Sequence, residues 1–107
     1  MLAEEEAHRH DAARRDAWWG RAREAAALLR ARFGAKRIVV LGDLVRPTPL
    51  HFWSELTLVV AGLSDYSYDM YMALRELERE PKIEVRRIEE LSPRQAAMLM
   101  LEGREIS

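Results

Sequence analysis

Two stretches decide the fold: KRIVVLGDLVR at residues 36–46 and SELTLVVAG at residues 54–62. Each contains a short run of β-branched and aliphatic residues, which is typical of a buried strand. Pro47 and Pro49 lie between them and predict a loop, because proline interrupts regular backbone hydrogen bonding. A third run, KIEVRRI at residues 82–88, alternates apolar with charged side chains and predicts a half-exposed strand near a sheet edge.

Three helices are predicted around these strands. The first covers residues 12–32, where apolar side chains recur at helical spacing and Gly34 lies at the expected C-terminal cap. The second follows the strand at residues 55–61 and ends before Pro81. The third begins at Ser92, which is followed by a proline and a glutamine in the pattern of a capping box. The apolar stripe of the first helix consists of Trp18, Ala22, Ala25, Leu29 and Phe33.

This order of elements predicts one small α/β (α+β) domain at residues 12–107, with helices packed on a mixed three-stranded sheet. A chain of 107 residues has the usual size of a single domain. Residues 1–11 show no apolar periodicity and are expected to be frayed or flexible. The strand–helix–strand unit at residues 55–88 favours a right-handed crossover, which would make its two strands parallel.

The composition excludes several classes of function. Seventeen basic and 18 acidic residues give a net charge of −1, which argues against a nucleic-acid binder that acts through bulk charge. The absence of cysteine rules out disulfides, thiolate zinc sites and cysteine nucleophiles. No apolar run approaches the length of a membrane span, and the acidic N-terminus is unlike a secretory signal. A cytoplasmic location is therefore expected.

The motifs on the first two strands resemble those of the minimal nucleotidyltransferases, small relatives of the DNA polymerase β fold. In that family a strand ends in Gly-Ser, an arginine follows, the next strand opens with Ser-Asp-x-Asp, and a third carboxylate lies on a later strand. The matching residues here are Gly42, Arg46, Ser54, Glu55 and Glu84. The resemblance implies that Glu55 and Glu84 are catalytic and bind Mg²⁺ or Mn²⁺. It also implies that Gly42, Arg46 and Ser54 bind a nucleoside triphosphate.

The chain departs from that pattern at three positions. Thr57 replaces the second aspartate, Asp43 replaces the serine after Gly42, and Pro47 stands where a glycine commonly follows the arginine. Because Mg²⁺ prefers charged oxygen ligands and Thr57 offers a neutral hydroxyl, the active site is predicted to be degraded. Asp43 has three interpretations: it repels phosphate, it replaces the missing metal ligand beside Glu55 and Glu84, or it caps a short turn.

The other candidate residues also have structural interpretations. Glu55 and Glu84 are either remnants of a metal site or solvated partners of nearby arginines, and Arg46 contacts either a phosphate or a surface carboxylate. His51 is a general base or an ordinary loop histidine. Phe52 and Trp53 stack on a base or cover the edge of the core.

Aromatic and methionine side chains exceed what a three-stranded core requires. On the second helix, three such residues lie off the main apolar stripe: Tyr68, Tyr71 and Met72. On the first helix, Trp19 lies about 100° around the helix axis from Trp18. Trp19 is therefore expected at the edge of the apolar face or partly exposed. Such residues are enriched at protein interfaces, which favours a homo-oligomer or a complex. The resemblance implies a small all-helical partner of the HEPN type, as in some toxin–antitoxin pairs.

Three functions follow as hypotheses. The leading one is a non-catalytic or weakly active interaction module, which would act as the antitoxin-like member of a two-protein system. The first alternative is an active, metal-dependent nucleotidyltransferase that modifies a protein or small molecule through Asp43, Glu55 and Glu84. The second alternative is a regulator that binds a nucleotide without turning it over.

Overall fold

A computed structural model describes residues 2–46, 50, 54–64, 68–77 and 82–106, and the side chains of these residues from Asp11 onward except that of Leu77. His51, Phe52, Trp53 and Pro47 lie outside the described residues. The helices are α1 (Leu2–Phe33), α2 (Tyr68–Leu77) and α3 (Pro93–Glu102). The strands are β1 (Arg37–Leu41), β2 (Leu56–Ala61), β3 (Ile83–Arg87) and β4 (Arg104–Ile106), and a 3₁₀ turn (Ile88–Glu90) joins β3 to α3.

The sheet is mixed, with the strand order β3-β2-β1-β4. β1 is antiparallel to both of its neighbours, whereas β2 and β3 are parallel, as the predicted crossover requires. The prediction of three strands was wrong, because Arg104–Ile106 adds a fourth strand to the edge of β1. This strand has only three residues and two of them are charged, so its sequence shows neither the β-branched run nor the apolar alternation by which strands are predicted. Its pairing with β1 defines it as a strand.

The larger core lies between one face of the sheet and helices α1 and α2. The predicted stripe of α1 is confirmed, because all five of its residues are buried. Trp18 keeps only 2% of its surface exposed, whereas Trp19 is half-buried at the edge of this core. The stripe packs against Ile38, Val40, Leu56, Leu58 and Val60 of the sheet and Met70, Ala73 and Leu74 of α2.

A smaller core lies on the opposite face of the sheet, under α3. Its buried members are Val39 of β1, Val59 of β2 and Leu99 of α3. The predicted capping box at the start of α3 is present: the Gln95 N–H donates to Ser92 Oγ over 3.2 Å. In return, the Ser92 N–H donates to Gln95 Oε1 over 3.0 Å. Both bonds satisfy backbone N–H groups that have no partner within the helix, and they fix the residue at which α3 begins.

Helix α1 extends further towards the N-terminus than its apolar pattern predicts. It begins at Leu2 rather than near residue 12. At its other end, Gly34 has a φ of +73°, the left-handed conformation predicted for a C-terminal cap. Within the described residues, no helix combines the length and apolar character needed to cross a membrane.

Candidate functional site

The residues matched to the nucleotidyltransferase pattern lie at one end of the sheet. Gly42 and Asp43 follow β1, Ser54 and Glu55 precede β2, and Glu84 is the second residue of β3. Because β1 runs antiparallel to two parallel strands, its end meets their starts. A Cβ atom added to Gly42 would lie 3.6 Å from the backbone oxygen of Glu55, which shows how closely the two segments approach.

Thr57 and Glu84 lie directly opposite each other in the β2–β3 register. The flanking Leu56 and Ile83 point into the larger core, so Thr57 and Glu84 point to the other face of the sheet. The family pattern places its second aspartate at the position of Thr57. Glu84 therefore faces the neutral hydroxyl of Thr57 across the two strands.

Glu55 and Glu84 line the same open cleft, which we call the β3 cleft. It has a volume of about 920 Å³, and its polar lining also includes Tyr68, Tyr71, Arg75 and Lys82. The lining residues thus include two with carboxylates, two with cations and two with phenols, although the Glu84 side chain points to the face of the sheet opposite α2. Asp43 is not among the described residues that line the cleft. Glu55 and Glu84 are therefore close in the fold, whereas Asp43 lies apart from them.

Asp43 and Arg46 form a turn and an ion pair beside the end of β1. The Arg46 N–H donates to the Asp43 carbonyl over 3.3 Å, and the Val45 N–H donates to the Gly42 carbonyl over 3.1 Å. The Arg46 guanidinium lies 4.0 Å from the Asp43 carboxylate and 3.5 Å from Glu102 at the end of α3. Arg46 therefore contacts surface carboxylates, which is one of the two interpretations that its sequence position allows. The other, contact with a phosphate, stays a prediction.

Glu84 and Ser54 also have defined surroundings. The Arg86 Nε atom lies 3.9 Å from a carboxylate oxygen of Glu84, and both side chains are half exposed. Ser54 is buried directly before β2, so a nucleotide would reach its hydroxyl only after local rearrangement. The predicted roles of Glu84 in metal binding and of Ser54 in nucleotide binding stay predictions.

The described carboxylates do not form a ready metal site. Among the described residues, no group of three or more histidine, aspartate or glutamate side chains converges in a way that could hold a metal ion. Thr57 contributes no charge, and Asp43 lies in its turn beside Arg46. This arrangement does not fit the three-carboxylate site that the resemblance implies for Mg²⁺ or Mn²⁺.

Sequence reasoning missed the residues of α1 that hold the segment after β1. Asp11 accepts hydrogen bonds from the Leu50 N–H over 2.8 Å and from Arg15 Nε over 2.9 Å. Arg15 also donates to the Leu44 carbonyl over 3.0 Å, and Arg14 donates to the Leu50 carbonyl over 3.3 Å. The four-residue spacing of Asp11 and Arg15 was the available signal, since such pairs meet on a helix.

These bonds give Asp11 a pH-dependent role in stability. The Leu50 N–H and then the Arg15 side chain hold the pKa of the Asp11 carboxyl below its usual range. A lowered pKa stabilises the folded state above the unfolded pKa of about 3.9, and this stabilisation is lost as the pH falls through the folded value. We expect Asp11→Asn to lower the free energy of unfolding by about 1 kcal/mol at pH 7.

Urea titrations of both proteins at pH 7 and below pH 3 measure this effect. The difference between wild type and Asp11→Asn should shrink at the lower pH, because the wild-type carboxyl is then increasingly protonated. Asp16→Asn is the matched control, since Asp16 is an exposed aspartate on the same helix. An unchanged difference across the pH range would contradict the assignment.

Comparison of the chain with protein-family models, with curated proteins and with solved structures finds no match to any of them.

Proposed function

We propose that this protein is a nucleotidyltransferase-like domain that acts as a non-catalytic or weakly active interaction module. The observation that carries the proposal is the position of Thr57 opposite Glu84, at the place where the pattern requires a carboxylate. A partner protein binds at the β3 cleft, where α2 exposes its aromatic side chains.

The magnitude of the missing charge supports loss of catalysis. A carboxylate 4 Å from a cation contributes about 4 kcal/mol per unit charge at an effective dielectric constant of 20. The exposed pairs of Arg46 and Arg86 contribute roughly 0–1 kcal/mol each, so a strongly bound cation would displace them. The absence of a carboxylate at Thr57 therefore weakens metal binding more than the neighbouring arginines do.

The exposed surface of α2 supports the interaction role. Tyr68 and Tyr71 are 73% and 56% exposed, and Met72 beside them is 39% exposed. Tyrosine and methionine are enriched in protein interfaces because they bury much apolar area and adapt to a partner's shape. Arg75 and Lys82 line the cleft together with Glu55 and Glu84, so its charges can pair with both acidic and basic side chains of a partner. The partner that we propose is a small helical protein of the HEPN type.

Site-specific photocrosslinking in the cells that express the protein tests this surface. A photoreactive phenylalanine analogue at Tyr71 is expected to give one discrete adduct with another protein. The same analogue at Arg94, which is exposed on α3, is the control and should give none. Equal labelling at both positions, or no adduct at Tyr71, would contradict the proposal. An adduct of twice the chain's 12.4 kDa would identify the partner as a second copy.

Nucleotide binding separates the proposal from its alternatives. We expect calorimetric titration with ATP, GTP, CTP and UTP, each with Mg²⁺ or Mn²⁺, to show no metal-dependent binding that Glu55→Ala/Glu84→Ala abolishes. Binding and labelled transfer that both disappear in this variant would establish the active transferase instead. Binding without transfer would establish the nucleotide-binding regulator.

A further inference from the structure

A second groove lies at the opposite edge of the sheet, between α1 and β4. Its volume is about 500 Å³, and its lining includes Trp19, Arg23 and Arg30 of α1 and Arg104 of β4. Because β3 and β4 are the two outer strands, this groove lies across the full width of the sheet from the β3 cleft. We call it the Arg–Trp groove.

Helical spacing brings the α1 side chains to one face. Trp19 and Arg23 are four residues apart, and Arg30 follows seven residues after Arg23, so the three side chains lie along one side of α1. The Arg104 guanidinium lies over the Trp19 indole, 5.3 Å from the ring centroid. Arg30 donates a hydrogen bond to the carbonyl of Ile106. These two contacts attach β4 to α1 and keep the positive groups together.

The two arginines that α1 contributes to this groove have no carboxylate at helical ion-pair spacing. Elsewhere on α1, Arg15 pairs with Asp11 and Arg21 pairs with Glu24. By contrast, the positions three and four residues from Arg23 hold only tryptophan, glycine and alanine, and those around Arg30 hold only alanine, phenylalanine and glycine. Neither arginine therefore has a carboxylate at the spacing that helical ion pairs use.

Glu105 is the one carboxylate among the described residues that line the groove, and its side chain points to the other face of the sheet. Glu105 of β4 lies opposite Val39, whose side chain belongs to the smaller core. It accepts a hydrogen bond from Arg37 Nε over 2.8 Å. The groove thus concentrates three guanidinium groups, while the whole chain has a net charge of −1.

We propose that the Arg–Trp groove binds the diphosphate or triphosphate group of a small anionic ligand. Guanidinium groups present paired N–H donors that match phosphate oxygens, and three of them offset the charge of a diphosphate. The volume lies within the roughly 300–1,000 Å³ of ordinary small-molecule sites.

Calorimetry in buffer with EDTA tests this site without any contribution from a metal bound at Glu55 and Glu84. Pyrophosphate and ADP are both expected to bind, and adenosine is not. Tighter binding of ADP than of pyrophosphate would identify a nucleotide, and equal binding would identify an inorganic polyphosphate. Tighter binding of a hexaglutamate peptide than of either phosphate compound would overturn the proposal, as would no binding at millimolar concentration.

Charge-matched variants locate the site. Arg23→Gln and Arg104→Gln are each expected to weaken pyrophosphate binding about tenfold, since each removes a charged hydrogen-bond donor. Arg94→Gln on α3 removes the same charge far from the groove and should change the affinity less than twofold. Equal losses in all three variants would show a general charge effect and overturn the proposal. Glu55→Ala/Glu84→Ala should bind pyrophosphate like wild type, which separates this result from the test of the proposed function.

Discussion

Replacement of Trp18 by alanine is expected to lower the free energy of unfolding by about 3–5 kcal/mol. Trp18 is the largest fully buried side chain of the larger core and keeps 2% of its surface exposed. It lies at the N-terminal end of the buried stripe of α1, against the core that the sheet and α2 share. Alanine would remove most of this apolar area and leave a cavity, because the surrounding helices and strands relax only in part.

Urea unfolding followed by circular dichroism measures this loss without relying on tryptophan fluorescence. Tyr68→Ala is the control, because it also removes a large aromatic ring, but from a site that is 73% exposed. That change should stay within about 0.5 kcal/mol. Small domains have about 5–15 kcal/mol of stability, so the alanine variant will fold only marginally if the wild type is near the lower limit. Trp18→Phe then provides a milder variant, and a loss no larger than that of Tyr68→Ala would contradict the expectation.

Replacement of Gly103 by alanine is the second large effect that we expect, at about 2–3 kcal/mol. The backbone of Gly103 has a φ of −75°, so alanine is not disfavoured by conformation. Its Cβ atom, however, would lie 2.5 Å from Val39 Cγ1 and 2.7 Å from the backbone oxygen of Leu99. That oxygen accepts the hydrogen bond of the Gly103 N–H at the end of α3. Relief of the clash must therefore shift the backbone that joins α3 to β4.

Replacement of Gly20 by alanine is expected to change the free energy of unfolding in the opposite direction. It lies inside α1, and no atom outside the neighbouring backbone of the helix itself would lie within 4 Å of an added Cβ. Gly20→Ala should raise the free energy of unfolding by roughly 0.5–1 kcal/mol, because glycine costs conformational entropy inside a helix. Denaturant midpoints of the two variants should thus move in opposite directions. A Gly103→Ala variant as stable as wild type would show that the connection between α3 and β4 is not tightly packed.

Patterns of neighbouring residues predicted the elements that depend on local chemistry. The aliphatic runs at residues 37–41 and 56–61 form strands, and the spacing of Ser92, Pro93 and Gln95 starts α3 at the predicted residue. The strand β4 was missed because its pairing depends on β1, far away in the chain, and Arg37 of β1 contacts Glu105 at a separation of 68 residues. No short-range pattern in Arg104–Ile106 contains that information.

The candidate site was likewise predicted only in part from the sequence. The resemblance implied that Gly42, Glu55 and Glu84 belong to one site, and the strand directions place all three positions at one end of the sheet. The partner of Arg46 was not predictable, because Glu102 lies 56 residues away on α3. The hydrogen bond from the Leu50 N–H to Asp11 was missed for a different reason. The highly charged start of α1 has no apolar periodicity, so this segment was expected to be frayed.

The unequal cores on the two faces of the sheet imply two levels of local opening. Helix α3 places a single buried side chain, Leu99, in the smaller core, whereas α1 places a whole stripe in the larger one. Regions with few buried apolar contacts open at lower free energy than the global transition, so the amide protons of α3 should exchange with solvent before those of β1 and β2. Each such opening separates Glu102 from Arg46, whereas Asp43 stays beside that guanidinium in the turn after β1. Opening of the helix on the thin side of the sheet thereby changes the ion pairing of Arg46 from two carboxylates to one.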